Sequence, residues 1–206
     1  MTEEAAEIDQ QELFLWQPSR YADPARLISC FGGAVDLETG KRLLATRRLD
    51  KRLSRLLTER FHLPPPALQD NRSIDEADWP VACAPADRLA EIAIRAGAVY
   101  WAATLARTIS GREATALREQ LGAALCSLAV ANKDLAGPQQ PLDPLETVRQ
   151  RVEADGWVCL AAWCEAAGPV VASRVRLKLP PQNPLEAPAA PAFAEIGPLI
   201  VRRVAG

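Results

Sequence analysis

Two residue types are nearly missing from this chain, and their scarcity narrows the chemistry that it can perform. Its 206 residues include one histidine, His62, and one methionine, Met1. A single imidazole excludes a histidine-cluster metal site within one chain and any mechanism that needs two imidazoles. A single methionine likewise excludes a methionine-rich recognition groove and a set of thioether metal ligands.

Charge of either sign is not in large excess, but it is unevenly distributed. The formal net charge is −2 and the isoelectric point is near 5.6. This balance argues against a chain-wide cationic field for nucleic acid or an anionic membrane. Residues 1–12 nevertheless carry five acids and no base, whereas residues 41–60 carry eight bases and two acids. We therefore predict an acidic N-terminal tail over 1–12, with a composition that permits disorder, and a strongly basic segment over 41–60.

The cysteines and the apolar runs indicate a soluble protein of the cytoplasm. The five cysteines are odd in number, lack CxxC spacing and lie mostly in apolar stretches, which is typical of reduced core thiols. The N-terminus has neither the basic nor the apolar region of a signal peptide. The longest uncharged runs, 96–106 and 120–132, are shorter than the ~18 apolar residues that cross a bilayer, so we expect no direct membrane insertion.

The positions of the seventeen prolines divide the chain into blocks. Three windows contain no proline: 25–63, 86–137 and 145–168. Proline interrupts helices whereas alanine, which is abundant here, favours them, so the windows are predicted to be helical. Capping patterns at Ser110–Glu113 and Asp143–Glu146 indicate two helix starts. The predicted helices cover residues 24–31, 41–61, 86–109, 111–132 and 144–166.

These blocks predict a mainly α fold with few or no short strands. We expect one compact helical domain over 13–179, followed by a proline-rich extended segment over 180–206. Residues 170–179 fit either a strand or a short helix, of which we prefer the helix. Residues 180–198 hold six prolines and little that could pack, so we expect at most a last helical turn near the end of the chain.

No group of residues in the sequence forms a recognisable active site. His62 follows the basic helix, where interaction with the helix dipole explains it better than catalysis does. The acids within 70–78 lack the spacing of a calcium loop, and the glycines at 32–40 match no phosphate-binding loop. Cys159 and Cys164 are five apart on a predicted helix and are expected to be core thiols. We therefore expect no catalytic residue, no cofactor and no metal.

The basic helix and the tryptophans are the best candidates for contact with another molecule. Leucines recur on one side of helix 41–61, which leaves its arginines on the other side. This arginine face is either simply solvated or meets an acidic patch of this chain or of a partner. Trp157 and Trp163 are six apart on a helix and face different sides, so one of the pair is a candidate interface residue. The predicted partner-binding residues are Arg47, Arg48, Arg52, Arg55 and Trp163.

A nucleic-acid-binding regulator that uses helix 41–61 is the alternative function. The acidic isoelectric point and the lack of aromatic residues among the arginines, where bases would stack, argue against it. The sequence therefore favours a helical interaction module over a nucleic-acid-binding protein.

Four segments of the chain together resemble one protein family. The stretch from Leu13 to Leu27 has a short apolar start, then Pro18, Tyr21 and a leucine-containing helix. It resembles the start of the SctK/YscK/PscK family, cytoplasmic accessory proteins of bacterial type III secretion. Three other segments are similar to this family. The first is Arg88-Leu89 with the following apolar residues 92–106 and the helix from Ser110, the second is Gly156–Trp163, and the third is Arg174–Pro180. In order, these segments cover most of residues 13–180.

The resemblance implies a non-enzymatic, mainly helical adaptor of the secretion sorting platform. Members of this family connect the cytoplasmic forkhead-associated-type domains of the inner-membrane ring to pods built from the Q-type switch protein. The L-type ATPase stator of the same platform is a further expected partner, and nucleic acid is not. The family has no catalytic residues to carry over, and it implies recruitment to the cytoplasmic face of the inner membrane. The acidic start at 1–12 and the proline-rich stretch at 180–198 depart from the usual pattern of the family.

Overall fold

The structure, a computed structural model, describes residues 3–66, 74–108 and 111–206. Across these residues all regular structure is helical and no strand is present, which confirms the predicted mainly α fold. None of the helices in these ranges is both long and apolar enough to cross a membrane. The described α-helices are α1 (Glu3–Trp16), α2 (Pro24–Ser29), α3 (Leu37–Ala45), α4 (Asp50–Arg60), α5 (Trp79–Ala82), α6 (Ala86–Tyr100), α7 (Ala102–Arg107), α8 (Arg112–Leu121), α9 (Ala123–Ala131), α10 (Val148–Ala167), α11 (Pro169–Leu177) and α12 (Ile196–Ala205).

The chain divides into two compact units rather than the single domain expected over 13–179. Unit 1 comprises Met1–Ala86 and Ala167–Glu186, and unit 2 comprises Asp87–Ala166 and Ala187–Gly206. Each unit therefore combines segments that are distant in sequence. Residues 3–12, predicted as a tail, belong to α1, and the segment 180–206 ends in the ten-residue helix α12. Proline positions mark where helices end, but they carry no information on which helices share a core.

The leucines of α4 bury one side of that helix in unit 1, as their spacing predicts. Leu53 and Leu57 are 7% and 0% exposed, and they form one cluster with Leu27 of α2 and with Ala22. The side chain of Asp23 caps α2 by accepting a hydrogen bond from the backbone N–H of Ala25 at 2.7 Å. The packing of α2 against α4 thus leaves the opposite side of α4 facing solvent.

Residues 170–179 form helix α11, as preferred over a strand, and Arg174 fixes it within unit 1. Arg174 is only 3% exposed. Its Nε donates to the carbonyl oxygen of Leu15 and its Nη1 to that of Pro64, both at 3.0 Å. Burial lowers the pKa of this guanidinium from its ordinary value. The hydrogen bonds compensate for the desolvation of a buried charge by satisfying its donors.

Lys178 follows α11 and is a second buried cation of unit 1. The lysine is 5% exposed, and its Nζ donates to the carbonyl oxygens of Ala82 and Ala84. The same nitrogen lies 5.0 Å from the ring centroid of Phe14 and 5.4 Å from that of Tyr21, within the range of a cation–π contact. Burial lowers the pKa of Lys178 to about 8 and raises the pKa of Tyr21.

Helices α6 and α10 of unit 2 cross with their backbones in direct contact. A Cβ atom built on Gly97 of α6 would lie 1.8 Å from the carbonyl oxygen of Val152. A Cβ atom built on Gly156 of α10 would lie 1.8 Å from the carbonyl oxygen of Ala93. Any side chain at either position would therefore push the two helices apart, because the atoms in the way belong to the backbone.

A tryptophan joins the same two segments of unit 2 by a hydrogen bond. The indole Nε1 of Trp101 donates to Asp155 Oδ2 at 2.6 Å, and Trp101 is 1% exposed. The guanidinium of Arg151 lies 5.2 Å from the Trp101 ring centroid. Burial raises the pKa of Asp155, while the bond from Trp101 and the charge of Arg151 lower it by less. The indole thus receives the hydrogen-bond partner that a buried N–H needs.

Three predicted helices are each interrupted once. The helices predicted over 41–61, 86–109 and 111–132 break at Thr46, Trp101 and Gly122 respectively. Thr46 has an extended ψ of 92°, and Trp101 has a ψ of 2° that ends α6. Gly122 has a φ of 85°, a left-handed conformation that glycine adopts without strain. Helical periodicity continues across these single residues, so pattern alone does not reveal the breaks.

Of the two predicted helix starts, one differs from the structure and the other lies outside the described residues. Pro144 was expected as the first helical residue, but its ψ of 139° is extended, and α10 begins at Val148 after a 3₁₀ turn. Ser110, the expected cap of the next helix upstream, lies outside the described residues. The described helix there, α8, begins at Arg112 and has no side-chain capping bond from Gly111.

The proline-rich stretch 180–198 buries more apolar side chains than its composition predicts. In unit 1, Leu185 is fully buried. In unit 2, Phe193 is 7% exposed, and its ring stacks on Tyr100 with the centroids 4.3 Å apart. The expectation that 180–198 contains little to pack is therefore wrong, because two isolated large apolar residues suffice to anchor short 3₁₀ turns.

Candidate partner-binding surface

The eight bases of residues 41–60 lie on α3, on α4 and on the 3₁₀ turn between them. Each of these residues is exposed in unit 1. We call them the basic strip: Lys41, Arg42, Arg47, Arg48, Lys51, Arg52, Arg55 and Arg60. On α4, Lys51, Arg52 and Arg55 lie opposite the buried residues Leu53, Ser54 and Leu57, whereas Arg60 is the last residue of the helix. The amphipathic pattern of the segment thus places its arginines in solvent.

One acid inside the strip, Asp50, is directed away from it. Asp50 Oδ2 accepts a hydrogen bond from Arg20 Nη1 at 3.2 Å, and the Asp50 side chain is 18% exposed. Its backbone carbonyl accepts the hydroxyl of Ser19 at 3.1 Å. Arg20, which does not belong to the strip, therefore neutralises this carboxylate.

Two members of the strip form ion pairs with acids of their own helices. Lys41 Nζ lies 2.7 Å from Glu38 Oε1, and Arg55 Nε lies 2.7 Å from Glu59 Oε1. The hydrogen bond that Arg55 donates to Glu59 raises the pKa of Arg55. All four side chains are more than half exposed, so each pair contributes little stability and is weakened by salt.

The structure exposes all four predicted arginines but buries Trp163. Arg47, Arg48, Arg52 and Arg55 are all exposed, as a partner contact requires. Trp163 belongs to unit 2 and is 0% exposed, so the prediction that it meets a partner is wrong. Residues 159–164 of α10 are buried all round the helix, which explains why both sides carry large apolar residues.

Two exposed residues suited to partner contact are missing from the binding residues predicted from the sequence. Lys51 is exposed between Arg47 and Arg55 at helical spacing, a signal that was available in the sequence. Trp16, at the end of α1, is 50% exposed. No pattern distinguishes it from the buried tryptophans, because α1 has no clear apolar face on which to base the distinction.

The other residues considered for chemistry do not form a reactive group. His62 is exposed just after α4, with a φ of 48°. Cys159 and Cys164 are buried, as expected of core thiols, and burial raises the pKa of Cys159 to about 12. Within the described ranges no cluster of three histidine, cysteine or acidic residues could hold a metal ion. Asp70 and Ser73 lie outside those ranges.

Unit 2 contains a polar cleft of about 420 Å³. Thr104 and Gln140 join its walls, because the Gln140 backbone N–H donates to Thr104 Oγ1 at 2.7 Å. Arg107 Nη1 donates to the side-chain oxygen of Gln139 at the same cleft. The lining has no histidine or cysteine. Its two hydroxyls donate to backbone, Thr104 to the carbonyl oxygen of Gln140 and Thr108 to that of Thr104, rather than to Glu113, the carboxylate of the lining.

Comparison of the chain with models of protein families, with curated proteins and with solved structures finds no match.

Proposed function

We propose that this protein is a non-enzymatic adaptor of a bacterial type III secretion sorting platform. It links the forkhead-associated-type cytoplasmic domains of the inner-membrane ring to the Q-type pod protein, and it is recruited from the cytoplasm to the inner membrane. The observation that carries the proposal is the pairing, within each unit, of the segments that resemble the SctK/YscK/PscK family.

In unit 1, the first and the last of these segments pack together. Arg174 reaches the carbonyl oxygen of Leu15, and the ammonium of Lys178 lies over the ring of Phe14. The backbone N–H of Asp23 donates to the carbonyl oxygen of Leu177 at 2.8 Å. Residues 13–27 and 174–180 therefore form one contact set although about 150 residues separate them in the chain.

In unit 2, the two middle segments pack together in the same way. Gly97 lies within 92–106 and Gly156 opens 156–163, and these glycines allow the backbones of α6 and α10 to meet directly. Gly197 of α12 also meets this region, because its Cβ position lies 3.1 Å from the carbonyl oxygen of Cys159. The resembling residues are thus the contact residues of two cores, which supports a shared architecture over chance similarity of composition.

Co-purification tests the proposal directly. The full chain is co-expressed with the Q-type pod protein and, separately, with the cytoplasmic domain of the ring protein. We expect each to be retained through affinity purification and gel filtration. Reproducible failure to bind either partner, with the helical circular dichroism of the chain intact, would reject the adaptor function.

A surface control separates specific binding from simple retention. Charge reversal at Arg47, Arg48, Arg52 and Arg55 is expected to weaken one of the two contacts without unfolding the chain, because these residues are exposed. If both contacts persist unchanged, the basic strip is only a solvated face and the adaptor binds through other surfaces.

A further inference from the structure

The basic strip contains a group of four cations that no acid of the described chain neutralises. Arg47, Arg48, Lys51 and Arg52 occupy six consecutive positions with one acid among them, Asp50. That carboxylate is held by Arg20 and directed inward. Within the described ranges none of the four forms an ion pair. We call them the cationic quartet.

Of the other four bases of the strip, two are paired with acids, and Arg42 and Arg60, which also form no ion pair within the described ranges, stand singly near its two ends. Exposed acids of the same helices pair with Lys41 and Arg55, at 2.7 Å in each case. Glu38 and Glu59 therefore dilute the positive potential at the two ends of the strip. The highest uncompensated charge lies in its middle, on the 3₁₀ turn and the first turn of α4.

Placing four bases there opposes the local stability of the helix. Positive side chains near a helix N-terminus oppose the helix dipole. Lys51 and Arg52 lie in the first turn of α4, and Arg47 and Arg48 lie in the 3₁₀ turn before it, so four like charges are crowded at one helix start. Conflicts of this kind between local preference and observed sequence are expected at functional surfaces.

The quartet suits carboxylates better than a phosphate backbone. Guanidinium groups bind carboxylates and phosphates alike in a bidentate manner, but α4, with 11 residues, extends only about 16 Å and so offers little length to a nucleic-acid backbone. Duplex nucleic acid would bring a dense row of phosphates against the flanking Glu38 and Glu59, which are 77% and 62% exposed. The strip also contains no aromatic residue on which a base could stack.

We propose that the cationic quartet is the docking site for an acidic helical segment of a partner protein, with carboxylates spaced one helical turn apart. On such a segment, glutamates at i,i+4 spacing share one face and present a row of carboxylates to the bases of the quartet. This inference rests on the proposed adaptor function for the existence of a partner. It adds the chemistry of the contact, and it assigns Lys51 to the contact while making Arg55 peripheral.

Peptide binding by the full chain tests the docking site. The probe is a fluorescein-labelled alanine-based helical peptide with glutamates at i,i+4 spacing, followed by anisotropy at low and at physiological salt. The quartet variant replaces all four of its bases with glutamine. The control variant makes the same change at the strip's other bases: Lys41→Gln, Arg42→Gln, Arg55→Gln and Arg60→Gln. Both variants lose the same formal charge from the same surface.

We expect the quartet variant to weaken peptide binding about tenfold or more, and the control variant less than about threefold. Circular dichroism checks that both variants remain helical. Equal losses in the two variants would show that only net charge matters and would overturn the docking site. Absence of binding by the unmodified chain would overturn it as well.

A duplex DNA probe of arbitrary sequence tests nucleic acid as the alternative occupant of the quartet. Tighter binding of the DNA than of the peptide, lost in the quartet variant, would replace the acidic segment with nucleic acid and overturn the proposal. If the peptide binds as expected but neither secretion protein does, the adaptor function fails while the docking chemistry stands.

Discussion

The direct contact between α6 and α10 predicts a severe effect of adding a single methyl group. In Gly97→Ala, the new Cβ would lie 1.8 Å from the carbonyl oxygen of Val152 and 2.8 Å from its carbonyl carbon. Ordinary van der Waals contact begins at 3.4 Å, so the separation falls short by 3.4 − 1.8 = 1.6 Å. No rotamer change relieves this overlap, because both partners are backbone atoms of packed helices.

The expected loss of stability follows from two opposing contributions. Overpacking a core costs about 1–3 kcal/mol, and backbone displacement falls at or above the upper end of that range. Replacing glycine with alanine in a helix interior contributes about 1 kcal/mol of stabilisation. Parting the helices by more than an ångström also opens gaps along their whole contact. We therefore expect Gly97→Ala to lower the free energy of unfolding by about 3 kcal/mol.

Urea unfolding followed by circular dichroism at 222 nm measures the effect. The matched control is Gly40→Ala in α3, where the new Cβ would lie 2.6 Å from Ile28 Cγ2 and 3.5 Å from the Pro24 carbonyl oxygen. Ile28 is a partly exposed side chain, which shifts more readily than packed backbone, so the control should lose clearly less stability than Gly97→Ala. An unchanged midpoint for Gly97→Ala, or an equal loss in the control, would refute the backbone contact.

The double variant adds a test of geometry. Gly156→Ala alone should destabilise unit 2 about as much as Gly97→Ala, because its Cβ would meet the Ala93 carbonyl oxygen at 1.8 Å. Once one methyl group has parted the helices, the second meets less resistance. The two losses should therefore be clearly less than additive. Full additivity would mean that the two glycines do not share one crossing.

Three further predictions concern buried titratable groups. The folded pKa of Lys178, about 8, lies below the pKa of the same lysine in the unfolded chain. Between these two pKa values the unfolded chain binds more protons than the folded chain, so the free energy of unfolding rises with pH. Urea titrations of the unmodified chain and of Lys178→Met measure this effect. From about pH 7.5 to 9.5, the free energy of unfolding should increase by about 2 kcal/mol more in the unmodified chain than in the variant. Asp155→Ala should lower the free energy of unfolding by about 1–2 kcal/mol, because it leaves the Trp101 indole N–H unpaired. Asp155→Asn should not be destabilising, because its amide oxygen can accept the same hydrogen bond and burial disfavours the carboxylate that it replaces. Cys159 and Cys164 should react with a thiol reagent only at the rate of unfolding, and fast labelling of either would contradict their burial.

The amphipathic character of the helices could be predicted from the sequence, but the breaks within them could not. Leu53 and Leu57 are buried where their spacing places them. Thr46 and Trp101 end helices although neither is a strong helix breaker, because tertiary packing overrides local preference. Gly97 and Gly156 lie within the predicted helices 86–109 and 144–166, but their role at the helix crossing depends on tertiary packing and could not be predicted from the sequence.

The candidate surface was predictable to the extent that it depends on exposure of a charged face. Arg47, Arg48, Arg52 and Arg55 were identified from sequence, because an amphipathic helix must expose the side opposite its leucines. Trp163 was not predictable, since tryptophan is common both in cores and at interfaces, and burial on all sides of α10 is a property of the packed unit.

The division of the bases into buried and exposed sets has a consequence for the charge that a partner meets. Arg26, Arg174 and Lys178 are 8%, 3% and 5% exposed, and each donates to backbone carbonyl oxygens within unit 1. These cations stabilise contacts between distant segments and contribute little to the surface potential, whereas the quartet contributes fully. Composition counts both sets alike, so net charge underestimates how strongly the exposed cations are concentrated on α4. Steering of an acidic partner depends on that concentration rather than on the net charge of −2.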